Sequence, residues 1–348
     1  MTWMIYGAYG YTGALVAALA SERHELPVLA GRDGTRLREL GEHLQLEHRT
    51  IDLADGAELR RALQGVDLVA HCAGPFSATA RPMVDACVET GTHYLDITGE
   101  IDVFEAILPR DDEARDAGVV LLPGAGFDVV PTDCMAAMLA EALPGAERLE
   151  LAFTLGGGPS PGTAKTAMEA LGAAGRCRIA GVIRDVPADR RRRTVRFADG
   201  EAGVTAISWG DVATAYRSTG IGDIVVYAAL PGMAGPMATL AEAVGPLVRG
   251  DAVQRLLKRV VGRLPGPTAA ARAKGGAQIW GQVTGPDGRR VTGTMSTPNG
   301  YDLTADAVVT IAQRILAGGV APGAHTPSSA LGSEFVRQLE GVKVEIGG

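Results

Sequence analysis

Cysteine is scarce in this chain, and what there is of it is scattered. Cys72, Cys87, Cys134 and Cys177 form no C-x-x-C pair. That argues against a disulfide framework and a thiolate zinc site, and predicts reduced thiols in the cytoplasm. Positive charge is also short. Lys and Arg total 33 against 40 Asp and Glu, a net charge of −7 that disfavours nucleic acid as a partner. The run Arg190–Arg193 is the local exception, and it reads as a solvated turn before a strand at Thr194–Phe197 rather than an anion site. No charge-free run is long enough to span a membrane, and no basic-then-apolar leader opens the chain. Peripheral membrane contact stays open through Ile221–Val248, which is apolar but broken by glycine and proline. H-E-x-x-H, a nucleophile-plus-base pattern, a Walker lysine and flavin-specific signals are all missing, so no metal site is expected.

Glycine is plentiful. Its 47 residues fall in turns between apolar runs, as in a loop-rich α/β enzyme, and 348 residues predict two domains. The most informative turn is the first. Trp3–Tyr6 reads as a buried parallel strand, and Gly7-Ala8-Tyr9-Gly10-Tyr11-Thr12-Gly13 follows it directly. Helical spacing then resumes at Leu15. A glycine turn between strand and helix lets backbone N–H groups approach a pyrophosphate, whose charge the helix N-terminus favours. This places Gly7, Tyr9, Gly10, Tyr11, Thr12 and Gly13 in a dinucleotide site.

Further strands are expected at Leu26–Ala30, His48–Ile51, Leu68–His71, His93–Ile97 and Val119–Leu122. Helices are expected at Thr12–Ser21, Gly34–Leu44, Asp55–Leu63, Thr79–Thr90 and Ile101–Ala117. That alternation predicts a doubly wound parallel sheet over residues 1–124, with ligands at the carboxyl ends of its strands. Beyond it, strands at Leu149–Thr154, Thr194–Phe197, Val204–Trp209, Ala213–Ser218, Ile224–Leu230, Ala277–Thr284 and Arg290–Thr297 predict a second, α+β domain over 125–300, on a largely antiparallel sheet. Pro286-Asp287-Gly288 marks a hairpin. Helices at Thr304–Leu316 and Ser328–Leu339, in a segment 301–348, are expected to pack back on the first domain.

Arg32 stands at the end of the second strand, where an NAD enzyme places a carboxylate. Its guanidinium suits a 2′-phosphate, so NADP(H) is the expected cofactor, with Asp33 able to bond the ribose if Arg32 turns outward. Asp52, after the third strand, reads either as an adenine partner or as a helix cap. Cys72, Ala73, Gly74 and Pro75, after the fourth, let backbone lie along the cofactor, with Cys72 a small filler rather than a nucleophile. Asp96, Thr98 and Glu100, after the fifth, bring polar groups to the nicotinamide side as proton donors or as caps of the next helix. Asp128 and Thr132 lie where the chain crosses between domains. Lys165 could bind a carboxylate or phosphate or simply lie on the surface. His325 carries little weight as an acid.

Several segments together resemble the saccharopine dehydrogenase-like oxidoreductases, particularly the branch containing trans-acting enoyl reductases. They are Tyr6–Gly13, Ala30-Gly31-Arg32, Ala73-Gly74-Pro75-Phe76, His93–Glu100, Gly126–Asp133, Gly300–Ala305 and Thr326–Gly332. The resemblance implies a Rossmann domain with a second α/β domain, nicotinamide redox chemistry and a homodimer. Leu151–Arg272 departs most from the family and looks shorter than in polyketide-type enoyl reductases. The resulting expectation is an NADP(H)-dependent reductase of an activated C=C bond in an acyl or polyketide-like small molecule. Tyr94, Thr98, Glu100 or water would supply the proton, and Asp128 and Lys165 complete the catalytic candidates. Alternatives are C=N reduction or amine oxidation, with Asp96, Glu100 or Asp128 facing a cationic substrate, and a non-catalytic NADP-binding sensor or scaffold.

Overall fold

The computed structural model describes residues 1–154, 175–229 and 266–347. These fall into two compact units, Met1–Cys134 with Tyr301–Glu340, and Met135–Gly300 with Gly341–Gly348.

The first unit is built on a parallel sheet. Its strands are β1 (Trp3–Tyr6), β2 (Val28–Gly31), β3 (His48–Thr50), β4 (Leu68–His71), β5 (His93–Asp96), β6 (Val120–Leu122) and the two-residue β15 (Gly323–Ala324). They lie in the order β15-β6-β5-β4-β1-β2-β3, with every pair parallel. β1, β2 and β4 are buried along their whole length. Continuous apolar runs such as Trp3-Met4-Ile5 suit strands covered on both faces. Helices α1 (Tyr11–Glu22), α2 (Gly34–Leu44), α3 (Gly56–Leu63) and α4 (Phe76–Thr90) connect them. Asp33 and Asp55 cap α2 and α3 by accepting backbone N–H bonds, and Gly91 ends α4 at φ +71°. Met4, Leu59, Met83 and Leu121 anchor the core, and trimming Met83 to alanine should cost about 2–5 kcal/mol.

The helix expected over Ile101–Ala117 is interrupted. It forms α5 (Ile101–Ile107), a 3₁₀ turn at Leu108–Arg110 and α6 (Asp111–Asp116). Pro109, which has no N–H to donate, sits in the turn. The chain stays with this unit past residue 124, because Ala125 N–H bonds Asp96 O at 2.7 Å and Phe127 N–H bonds Thr304 Oγ1 at 2.9 Å. Thr304 lies on α10 (Gly300–Leu316), which Asp306 pins to Arg23 at the end of α1 (2.6 Å). The helix expected over Ser328–Leu339 is α11 (Pro327–Leu331) followed by 3₁₀ turns at Ser333–Gln338.

The second unit carries a mixed sheet. β7 (Arg148–Thr154), β10 (Arg192–Phe197), β11 (Gly200–Ala206), β12 (Asp223–Ala229), β13 (Gly276–Thr284), β14 (Arg290–Pro298) and β16 (Lys343–Gly347) run in the order β10-β11-β12-β7-β13-β14-β16. β12 and β7 pair in parallel, and the other neighbours in this order pair antiparallel. β8 (Arg176–Ile179) joins β12, β9 (Val182–Asp185) joins β8, and a short helix α9 (Ala269–Lys274) precedes β13. The last residues of the 301–348 segment therefore add a strand here instead of packing on the parallel sheet. Helix α7 (Val130–Ala142) leads in, and a Cβ on Gly281 would sit 2.7 Å from Leu139 Cδ1, so sheet and helix meet closely.

Two expectations fail in this unit. Ala213–Ser218 is not a strand but lies in α8 (Asp211–Thr219), which Gly220 ends at φ +72°. Its run of small buried residues fits either period at this length. The arginine run is not a plain solvated turn. Arg192 opens β10, and Arg193 ion-pairs with Glu150 at 2.5 Å while lying 4.6 Å over the Trp280 ring.

Candidate functional site

The strand register gathers the candidate residues. Tyr6 lies level with Ala30 and His71, His71 with Asp96, and Leu95 with Leu122. Gly7, Arg32, Cys72, Ile97 and Pro123 thus leave the parallel sheet at one edge, its carboxyl edge.

At β1 the backbone makes the site. Gly7 turns at φ +82°, its N–H bonds Ala30 O at 2.7 Å, and Gly10 N–H bonds Gly7 O at 2.9 Å. A Cβ on Gly13 would lie 2.4 Å from Gly7 O, and one on Gly7 would lie 2.8 Å from Ala73 Cβ. Gly10 stands at the N-cap of α1 and contributes no side chain there, so the backbone leads straight from the turn into Tyr11 and Thr12. This cradle fits a dinucleotide pyrophosphate.

The next strand ends carry the charges. Arg32 is exposed and makes no ion pair or hydrogen bond among the described residues. Arg36 instead stacks on Tyr9, 4.7 Å from the ring centroid, and donates to Tyr9 O at 2.9 Å. Asp33 Oδ1 is engaged in capping α2, which leaves Arg32 as the group free to meet a phosphate. Asp52 is exposed and accepts from Ala54 N–H, while Asp55 is the cap of α3.

After β4, Thr79 Oγ1 donates to Ala73 O at 2.7 Å and lies 3.0 Å from Pro75 O, and the Gly74–Pro75 peptide is cis. Burial, helped by the nearby Asp96, pushes the Cys72 thiol up to about 12, so it stays protonated and inert. His71 is buried and neutral, driven down to about 3 by desolvation.

Around β5 and β6, side chains take over. Tyr94 is fully buried and donates its hydroxyl to Asp96 Oδ2 at 2.6 Å. Asp96 Oδ1 accepts from Thr98 N–H at 2.9 Å and Gly124 N–H at 2.8 Å. Burial outweighs these bonds and raises the Asp96 carboxyl to about 6. Thr98 Oγ1 accepts from Glu100 N–H at 3.1 Å. Glu100, expected as a proton donor or a cap of its own helix, instead caps α4 from a distance, accepting Phe76 and Ser77 N–H at 2.8 Å each. Neither Asp96 nor Thr98 caps α5, which has no side-chain cap.

Asp128 is half-buried against Gly99, where a Cβ would come within 2.8 Å of its Oδ2. Desolvation raises its carboxyl to about 6, and no hydrogen bond holds it among the described residues. Thr132 donates to Val129 O. Lys165 and most of Ile221–Val248 lie outside the described residues. Two residues missed as site candidates come from α10: Tyr301 packs edge-on to Tyr11 at 4.9 Å, and Thr304 holds Phe127. Among the described residues no group of three His, Cys, Asp or Glu could hold a metal ion, and no helix is long and apolar enough to cross a membrane.

A parallel sheet in this order, with a glycine turn at its first strand-to-helix crossing, defines a Rossmann-type dinucleotide-binding domain. Residues 3–122 match the saccharopine dehydrogenase NADP binding domain. A saccharopine dehydrogenase-like oxidoreductase of Arabidopsis thaliana is 32% identical over 147 residues, covering 37% of this chain and 32% of the relative. A trans-acting enoyl reductase of Mycobacterium leprae is 33% identical over 138 residues, covering 37% and 33%. The matched part thus spans about a third of these relatives' length. The apo saccharopine dehydrogenase (L-Glu forming) of Saccharomyces cerevisiae superposes over 100% of both chains with a TM-score of 0.64 at 12% identity, a shared fold.

Proposed function

We propose that the protein is an NADP(H)-dependent oxidoreductase whose substrate meets the cofactor beside β5 and β6. The observation that carries this is the single strand edge where the glycine turn, unpaired Arg32 and the loops after β4, β5 and β6 converge. Bound NADPH would supply the hydride. Arg32 would hold its 2′-phosphate, and the backbone of Gly10–Gly13 its pyrophosphate. Tyr94 and Glu100 already spend their polar atoms on protein partners, which makes them positioning groups. Asp128, raised to about 6 and without a hydrogen-bond partner among the described residues, is the group best suited to carry a proton near neutral pH.

Reduction of an activated C=C bond in an acyl or polyketide-like substrate is the first choice, supported by trans-acting enoyl reductases at 33% identity over 37% of this chain. Imine reduction is the second, favoured by the Asp128 carboxylate, which could pair with a cationic substrate. A panel of 2-enoyl thioesters and cyclic imines, followed by NADPH oxidation, separates them. Stoichiometric binding of NADPH with no turnover of either class would contradict both and leave a sensor or scaffold. Four free cysteines support a reducing, cytoplasmic setting. The family resemblance supports a homodimer, which sedimentation equilibrium tests.

A further inference from the structure

One set of hydrogen bonds runs through three separate strand-end loops. Gly124, turned at φ +80°, aims its N–H at Asp96 Oδ1, and Ala125 N–H bonds Asp96 O. Asp96 Oδ1 also takes Thr98 N–H, Thr98 Oγ1 takes Glu100 N–H, and Glu100 takes the first two N–H groups of α4. Nothing in this string is decorative packing. Asp96 is 1% exposed and Thr98 0%, so their polar atoms left without partners would stay away from water. A Cβ on Gly124 would sit 2.9 Å from Phe104, so the turn cannot relax outward freely.

We propose that Asp96 is the positioning residue of the site, the carboxyl that keeps the loops after β4, β5 and β6 in one arrangement. This rests on the reading of that edge as the cofactor and substrate site. As a carboxylate Asp96 accepts from all three of its donors. On protonation at Oδ2 the bond to Tyr94 reverses, while Oδ1 keeps the Thr98 and Gly124 N–H groups, so the string depends on Oδ1 and not on the charge. The groups facing it are Tyr94 on its own strand, His71 on β4 and Cys72 just after it, both uncharged at neutral pH, and Glu100, whose charge opposes ionisation. Its titration in the folded protein lies near pH 6.

The test combines amide exchange of the free protein with NADPH titration. Asp96→Ala should speed exchange about tenfold at Thr98 and Gly124, and also at Phe76 and Ser77, which it does not touch. Asp96→Asn, whose amide oxygen can still accept from Thr98 and Gly124, should bring both exchange and NADPH affinity back toward the wild type. Thr98→Val, which keeps the Asp96 bonds, should speed exchange at Phe76 and Ser77 but not at Gly124. Faster exchange confined to Thr98 and Gly124 would overturn the coupling. Equal NADPH affinity in the wild type and Asp96→Ala would overturn the role of Asp96. If the wild type binds no NADPH, the functional proposal fails, and the exchange experiment still decides whether the string is coupled.

Discussion

The two ends of one strand edge are built by opposite means. Beside β1 the edge is backbone: Gly7, Gly10 and Gly13 form the turn into helix α1, with no room for a Cβ on Gly7 or Gly13. Beside β5 and β6 it is side chain: Tyr94, Asp96, Thr98 and Glu100 bond one another and the neighbouring loops. The first end is intolerant of added atoms, and the second of lost hydrogen bonds.

Variants sharpen that contrast. The largest effect belongs to Gly13→Ala, whose Cβ would lie 2.4 Å from Gly7 O. Since backbone must shift to admit it, NADPH binding should fall more than about 100-fold, with a stability loss of about 1–3 kcal/mol. Near-normal binding by calorimetry would show that the turn is not tight. Asp128→Asn, at the other end, should leave NADPH affinity within about twofold and cut turnover on the order of 100-fold. Equal losses in both would make Asp128 structural.

Smaller again is Arg32→Ala. A charge-assisted bond to a 2′-phosphate is worth about 1.5–3 kcal/mol, so NADPH should weaken about 10- to 100-fold and NADH hardly at all. Equal weakening would remove the phosphate role. The smallest effect is in the pH dependence of stability. Asp96 and Asp128 titrate near 6 in the fold against 3.8 unfolded, so the folded state binds more protons in between. Their contribution is fully present below about pH 4 and is lost as pH rises through about 6. Denaturant melts should show the wild type gaining on Asp128→Asn, by on the order of 1–2 kcal/mol, as pH drops from 7 to 4.5. A constant difference would mean that Asp128 is better solvated than its burial implies.

The same contrast explains what was legible in advance. The glycine turn is local, with strand, turn and helix contiguous in Trp3–Glu22, and the expected strand at Leu68–His71 matches β4 residue for residue. Which helix Glu100 caps is not legible in the sequence, because its partners, the N–H groups of Phe76 and Ser77, lie 24 and 23 residues away and carry no side-chain signature. Burial of Tyr94 and the approach of Tyr301 to Tyr11 are likewise tertiary facts. In the second unit, β8 and β9 were hidden by charge: Arg178 is buried, its guanidinium donating to Val212 O and Gly181 O and stacking on Tyr216. A pattern that expects arginine at the surface does not find such a strand.

The most direct measurement is a titration of the wild-type protein with NADPH and with NADH, followed by nucleotide fluorescence at pH 7. A glycine cradle ending on an unpaired Arg32 predicts binding of both, with NADPH tighter by about 10-fold or more. Equal affinities, or no binding of either by a folded sample, would contradict the assignment of this strand edge as an NADP(H) site.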